Sequence, residues 1–205
     1  MRGPNAEMRD LVVIEHVTLD GVMQAPGRPD EDRRGGFEHG GWAVPNTDDV
    51  MAGVMAEGMA DGGPLLFGRR TYEDFYGFWP GEQDNPFTDV LNAVQKYVAS
   101  TVLEEPLPWA NSTLLDDDAM QAVAQLKRQP GKELSVLGSG ELVRSLLQHE
   151  LVDRFVLMIH PLVLGAGTRL FPEEGASAAL RLVESVSTST GVVIGTYEIA
   201  PRAGS

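Results

Sequence analysis

Apolar positions along this chain follow two rhythms that alternate. Leu11 to Thr18 (LVVIEHVT) is a near-continuous β-branched run and reads as a buried first strand. It ends at Leu19-Asp20-Gly21, a turn signal. From Gly21 to Gly41 periodicity vanishes: Gly27, Gly35, Gly36, Gly40 and Gly41, with Pro26 and Pro29, are mixed with charges. A loop of that length inside a compact domain is a functional lid or a passive insert. Phe37 and Trp42, apolar anchors in polar surroundings, favour a lid that closes onto something.

Helical spacing begins after Pro45-Asn46-Thr47-Asp48-Asp49. Val50, Met51, Val54, Met55 and Met59 form one stripe to about Ala60, with Asn46 or Thr47 as cap and the acidic pair in the first turn. The methionines read as core filler. Gly62-Gly63-Pro64 stops the helix, and Leu65-Leu66-Phe67 is a short strand running through Gly68 into a second helix. Tyr72 to Trp79 is dense in aromatics, which serve packing or wall a pocket for a flat heterocycle. A short helix near Phe87–Asn92 precedes a strand, Lys96 to Thr101, that ends in two hydroxyls. Asn111 to Leu115 is a further short strand. Asp116-Asp117-Asp118 opens a helix to about Gln129 whose core face uses Met120, Val123, Ala124 and Leu126; capping explains the acidic triplet more simply than a cation site. Leu134 to Leu137 is an apolar strand followed by Gly138-Ser139-Gly140 and a helix from Glu141 to about His149. Asp153 to Leu164 is a long strand interrupted at Pro161. Leu180–Ser187 and Gly191–Ile199 close the chain as an antiparallel hairpin. Strands alternating with helices, then a hairpin, define an α/β fold with a mostly parallel central sheet.

Composition narrows the chemistry. With 205 residues, 42% hydrophobic and 22% charged, the chain fits one domain over residues 10–201 behind a flexible leader, residues 1–9. The leader lacks a secretory apolar core and no run reaches the ~20 apolar residues of a membrane span, so a cytoplasmic protein with no membrane partner is expected. The absence of cysteine excludes disulfides and thiolate metal sites. The four histidines lack HxH or HExxH spacing, so no metal is expected. No G-x-S-x-G elbow is present, which disfavours covalent hydrolysis. A net charge of −14 disfavours nucleic acid.

In so acidic a protein an anionic ligand needs a local positive site. Gly68-Arg69-Arg70-Thr71 supplies one, because a helix start offers unpaired N–H groups and arginine offers fork-shaped donors. The alternative is a plain strand–turn–helix junction with its arginines in solvent. Gly138-Ser139-Gly140 is a second such reversal. Val143 stands where the dinucleotide fingerprint needs its third glycine, so only the anion-binding physics carries over.

Taken in order, the LDG turn, the long lid, Gly68-Arg69-Arg70-Thr71-Tyr72-Glu73, the strand ending Ser100-Thr101, Gly138-Ser139-Gly140-Glu141-Leu142 and the closing hairpin resemble the dihydrofolate reductase-like family. The resemblance is to the branch holding the reductase domain of bacterial riboflavin biosynthesis, the C-terminal domain of a bifunctional deaminase-reductase. It covers about Leu11 to Ile199 and implies a three-layer fold, NADPH as cofactor and a homodimer. It implies that Gly68, Arg69, Arg70 and Thr71, with Ser100 and Thr101, hold the adenosine 2′-phosphate side. Gly138, Ser139, Gly140, Glu141 and Leu142 would support the pyrophosphate. The stretch Asp20 to Gln24, Val22 included, would border nicotinamide and substrate, with Trp42 and Tyr72 as further substrate contacts. The implied reaction is hydride transfer to C=N or C=O of a small flat heterocycle, pterin- or pyrimidine-like. It would be akin to 5-amino-6-(5-phosphoribosylamino)uracil reductase or dihydrofolate reductase. Asp48, near the family's substrate carboxylate, and Gln24, at the lid entrance, are the catalytic candidates; ordinary helix-start charge is the other reading of Asp48 and Asp49. Two further outcomes stay open: a nucleotide- or ligand-binding protein of the same fold without turnover, and a dimeric interaction module with a vestigial pocket.

Overall fold

The first strand, β1 (Leu11–Thr18), stands in the middle of the sheet because its sequence tolerates burial on both faces. Leu11, Val13 and Val17 pack with Val123, Leu126, Leu142, Val143 and Leu146 on one side. Ile14 faces the other side, against Met51, Met158, Val192 and Ile194. In this computed structural model the described residues are 8–83, 85–115 and 118–200. After β1 come α1 (Asp49–Asp61), β2 (Leu65–Gly68), α2 (Arg69–Phe78), α3 (Pro86–Ala93), β3 (Lys96–Ala99) and β4 (Ser112–Leu115). They are followed by α4 (Ala119–Lys127), β5 (Leu134–Val136), α5 (Gly140–Gln148), β6 (Arg154–His160), β7 (Leu180–Ser187) and β8 (Val193–Ile199).

The strands form one sheet in the order β4-β3-β2-β5-β1-β6-β8-β7. All pairs are parallel except β8 against β6 and β7, so the expected antiparallel hairpin closes one edge. Connections from β2 move outward through β3 to β4, whereas β5 leads back across β1 to β6. Reversal of direction at β2 and β5 leaves a crevice at their carboxyl ends, the usual ligand position in open α/β sheets. One register detail shapes that crevice. The ladder between β1 and β5 ends at Val13↔Val136, while β1 runs on beside β6 as far as Thr18↔His160. The second half of β1 therefore has no ladder partner on its β5 side.

Boundaries differ from the sequence pattern where polar caps decide them. α1 is capped by Asp48, whose Oδ1 accepts from the Met51 N–H at 2.9 Å, rather than by Asn46 or Thr47. α4 is capped by Asp118, which accepts from the Gln121 N–H at 3.0 Å. Asp116 and Asp117 lie outside the described residues, as do residues 1–7 of the expected leader. Its Arg9 is fastened to the end of α4 through bonds to Gln129 and Pro130 carbonyls. β6 stops at His160 instead of continuing to Leu164, because Pro161 has no ladder donor to offer.

A second cluster joins Phe67, Tyr72, Leu91, Val98 and Trp109 under α2 and α3. At its base Lys96 is fully buried with its ammonium bonded to the carbonyls of Leu91 (2.7 Å) and Val94 (2.8 Å), 4.5 Å from the Trp109 ring centre. These carbonyls sit at the negative end of α3, so the charge is met without a carboxylate. No helix among the described residues is long and apolar enough to cross a membrane.

Candidate active site

Two strand-to-helix reversals lie side by side at the crevice. The Gly68 N–H, at the end of β2, donates to the Gly138 carbonyl at 3.0 Å. A side chain on Gly68 would run into Ser139 Oγ, and a Cβ on Gly138 (φ +95°) would sit 2.9 Å from Thr71 Oγ1. Bare glycine backbone is what lets the starts of α2 and α5 meet. The Gly138–Ser139 peptide is cis.

The capping pattern separates these two helices from the rest. α1, α3 and α4 each carry a side-chain cap, from Asp48, Asn85 and Asp118. Neither Gly68 before α2 nor Ser139 before α5 makes a side-chain cap bond. First-turn N–H groups of both helices thus lack a capping acceptor at the same crevice, and both dipoles present their positive ends there. A cleft of about 510 Å³ opens over them, lined by Gly68, Arg69, Arg70, Ser100, Thr101, Ser139, Glu141 and Leu142 among others. Arg69 pairs with Glu73 at 2.9 Å, and Arg70 lies 3.5 Å from Glu141; all four are partly exposed. Such rim pairs are worth little in water, so both guanidinium groups are available to a stronger anion. Ser100 Oγ accepts from the N–H groups of Val102 and Leu103 at 3.2 and 3.1 Å, shaping the loop on the far wall.

The segment from Gly21 to Ala43 is not a structureless insert. Val22, Ala25, Phe37, Trp42 and Ala43 form a cluster of their own with Leu162 and Leu164. Gln24 is its tie: its amide nitrogen donates to the Asp32 and Arg34 carbonyls at 3.2 and 3.0 Å. Its oxygen accepts from the Thr168 N–H and hydroxyl at 2.9 and 3.2 Å. Trp42 donates its indole N–H to the Gln24 carbonyl at 2.7 Å. Val22 bridges Arg169, and an Arg28–Asp74 ion pair fastens the segment to α2. A second cavity of about 380 Å³ lies between Gln24, Arg34, Phe37, His39 and the turn at Gly167-Thr168. Replacing Gln24 with alanine strands these partners, at about 1–3 kcal/mol. Limited proteolysis between Arg28 and Arg34 is expected to accelerate clearly in that variant.

The remaining expected site residues are placed as follows. Asp20 fastens the end of β1 to the loop after β6, accepting from the Leu164 and Gly165 N–H groups at 3.2 and 2.8 Å. The Thr18 hydroxyl, aided by those N–H groups, holds its carboxyl down to about 2. Asp48 Oδ2 accepts from the Ser189 N–H and hydroxyl at 2.7 and 2.6 Å, so both its oxygens are engaged in joining α1 to the β7–β8 turn. Tyr72 is 1% exposed inside the aromatic cluster, its hydroxyl accepting from the Trp109 N–H at 3.0 Å. Thr71, Gly138 and Gly140 lie at the junction itself.

Two buried polar features escaped the sequence reading. His16 Nδ1 and His160 Nε2 are 2.9 Å apart, with the Trp42 ring edge-on to His160. Burial first, and for His16 also its partner, lowers both to about 4, so the pair is neutral at pH 7. Glu15, next to His16 but on the opposite sheet face, is 7% exposed. Its burial, and then the Glu31 carboxylate, raise it to about 8. The signal was present in LVVIEHVT: two ionisable residues inside a central strand are rarely idle.

Strand order, crevice and paired helix starts together define the dihydrofolate reductase-like α/β fold. The chain belongs to the RibD C-terminal domain family, which it matches over residues 10–194. It is 28% identical over 194 residues to the uncharacterized protein YyaP of Bacillus subtilis (strain 168), covering 92% of this chain and 94% of that protein. Among solved structures it resembles a candidate riboflavin biosynthesis protein from Shewanella sp. PV-4. That match has TM-score 0.69 and 22% identity over 94% of this chain and 99% of the other. It also resembles dihydrofolate reductase from Enterococcus faecalis, solved with NADP(H), at TM-score 0.59 and 15% identity over 94% and 97% of the two chains.

Proposed function

We propose that this chain is an NADPH-dependent reductase that reduces a C=N or C=O bond in a small, flat, pterin- or pyrimidine-like heterocycle. The observation that carries the reading is the pair of uncapped helix starts held together across one cleft, where two phosphate-bearing parts of one ligand need two donor-rich junctions. The cradle fits the cofactor: bare glycine backbone at both reversals, Arg69 and Arg70 at the rim, and hydroxyls of Ser100 and Thr101 on the wall. The solved relative with NADP(H) bound supports the same choice. When bound, the cofactor supplies hydride. The chain's own part is to hold the phosphates, orient the ring and exclude water with the covering segment. The apolar residues Leu180, Leu182 and Val183, exposed along the edge strand β7, support a homodimer. The cysteine-free composition supports a cytoplasmic setting.

A second reading, a nucleotide-binding protein without turnover, is favoured by the engagement of Asp48 and Gln24 in structural bonds. Substrate-dependent loss of nicotinamide absorbance separates the two. The cofactor assignment itself is tested by thermal unfolding with NADPH, since a ligand of the native state raises the midpoint. Replacing Arg69 and Arg70 together by alanine should weaken NADPH about 10–100-fold and NADH only slightly, because charge-assisted bonds to a phosphate are the strong ones. Equal weakening of both nucleotides removes the phosphate assignment.

A further inference from the structure

Glu15 has no part in the reading above, yet its position is unusual. It lies on the half of β1 that has passed the end of β5, beside the Gly138 reversal. A Cβ built on Gly138 would stand 3.5 Å from Glu15 Oε1 and 2.9 Å from Thr71 Oγ1. The Glu15 carboxyl and the Thr71 hydroxyl therefore both lie against the bare face of Gly138 at the junction. Glu15 Oε1 is buried and has no hydrogen-bond partner among the described residues. A buried polar atom left unpaired costs about 1–3 kcal/mol, and natural folds keep few of them without a reason.

We propose that Glu15 is a cofactor-contacting residue. With its proton on, its O–H and the Thr71 hydroxyl bond an acceptor oxygen of the dinucleotide where that ligand passes over Gly138. This rests on the NADPH assignment and goes beyond it, making nucleotide binding conditional on one proton held by the central strand.

The surroundings set the sign of the pH dependence. From the covering segment Glu31 faces Glu15, its own carboxylate bonded by the Gly27 and Arg28 N–H groups at 2.7 and 3.0 Å. Behind it Arg28 is paired with Asp74 of α2. At the start of α5 Glu141 is paired with Arg70. On β6 the residue opposite Glu15 is Leu157. Among the described residues, the one charged group acting directly on Glu15 is thus another acid, which favours the neutral form. Ionised Glu15 would place an unpaired charge beneath an anionic ligand.

The test uses NADPH alone as probe and the full chain, with affinity followed by nucleotide fluorescence from pH 7 to 10. Wild type should bind with constant affinity up to about pH 8 and then lose about tenfold per pH unit. Glu15→Gln keeps a donor and cannot ionise, so its affinity should stay flat. Calorimetry of wild type in buffers of differing ionisation enthalpy gives an answer that needs no variant: at pH 8.5 each NADPH bound should take up about half a proton or more. Flat wild-type affinity without proton uptake overturns the inference and leaves the cofactor assignment standing. An alkaline loss retained by Glu15→Gln does the same. No NADPH binding by wild type at any pH overturns both.

Discussion

Gly138→Ala is expected to cost about 2–4 kcal/mol of unfolding free energy and to weaken NADPH by about 100-fold or more. Two independent penalties meet at this position. The backbone there has φ +95°, which non-glycine residues avoid at about 1–3 kcal/mol. The new methyl would also stand 2.9 Å from Thr71 Oγ1, closer than a Cβ comes to a neighbouring heavy atom. Thr71 belongs to the first turn of α2, and Gly68 just before it is bonded to Gly138. Pushing on Thr71 therefore pries apart the two helix starts, so the loss of binding should exceed what the lost stability alone implies. Denaturant unfolding and NADPH titration of the same variant check both parts. Adding Thr71→Ala should recover the crowding share and leave the backbone share, a non-additivity of about 1 kcal/mol. Wild-type binding by Gly138→Ala would mean that the ligand does not cross this junction.

The second large effect concerns pH and stability. Glu15 is raised from 4.5 to about 8, so in the folded state it keeps a proton that the unfolded chain has released. Its contribution is fully present below about pH 4.5 and is lost as pH rises to about 8, at about 1.4 kcal/mol per unit. His16 and His160 act in the opposite sense. Lowered from 6.5 to about 4, they resist a proton that the unfolded chain accepts. Their contribution is present above about pH 6.5 and is lost as pH falls toward 4. Between pH 4.5 and 6.5 two histidines outweigh one glutamate, and above 6.5 the glutamate is the one of these three that still titrates. Stability should therefore peak near pH 6.5, falling by about 2 kcal/mol at pH 8 and about 3 kcal/mol at pH 4.5. Urea unfolding at the three pH values measures this. In Glu15→Gln the alkaline fall should disappear while the acid fall steepens; a wild-type curve that rises steadily to pH 8 would contradict the assignment.

What sequence could reveal follows from which forces act locally. β1 matches its apolar run end to end, because strand burial is written residue by residue in hydrophobicity. The two glycine reversals were equally legible, since their physics needs only a glycine and a helix start. Their meeting in one cleft was not readable from either alone, because adjacency depends on β5 inserting between β2 and β1. Caps were misjudged where several polar residues compete: Asp48 won over Asn46 and Thr47 because it also reaches Ser189, 141 positions away. Gln24, expected as a catalytic candidate, and Trp42, expected as a substrate contact, are joined by a bond that gives both a structural task within the segment. Glu15 and His16 stand out in the sequence as ionisable residues inside an apolar run, but the His16–His160 contact and the shifted titration of all three depend on burial in the assembled sheet.

The stretch between Gly21 and Gly41 has one more implication. Both of these glycines hold left-handed backbone, with φ +80° at each, and between them the chain has folded around Trp42 and Phe37. A floppy loop must surrender its freedom each time it settles on a guest, at about 1–2 kcal/mol for every residue fixed. This one surrendered it when the protein folded. On the proposed reading, admitting and releasing a nucleotide would ask this ordered segment for displacement without reordering.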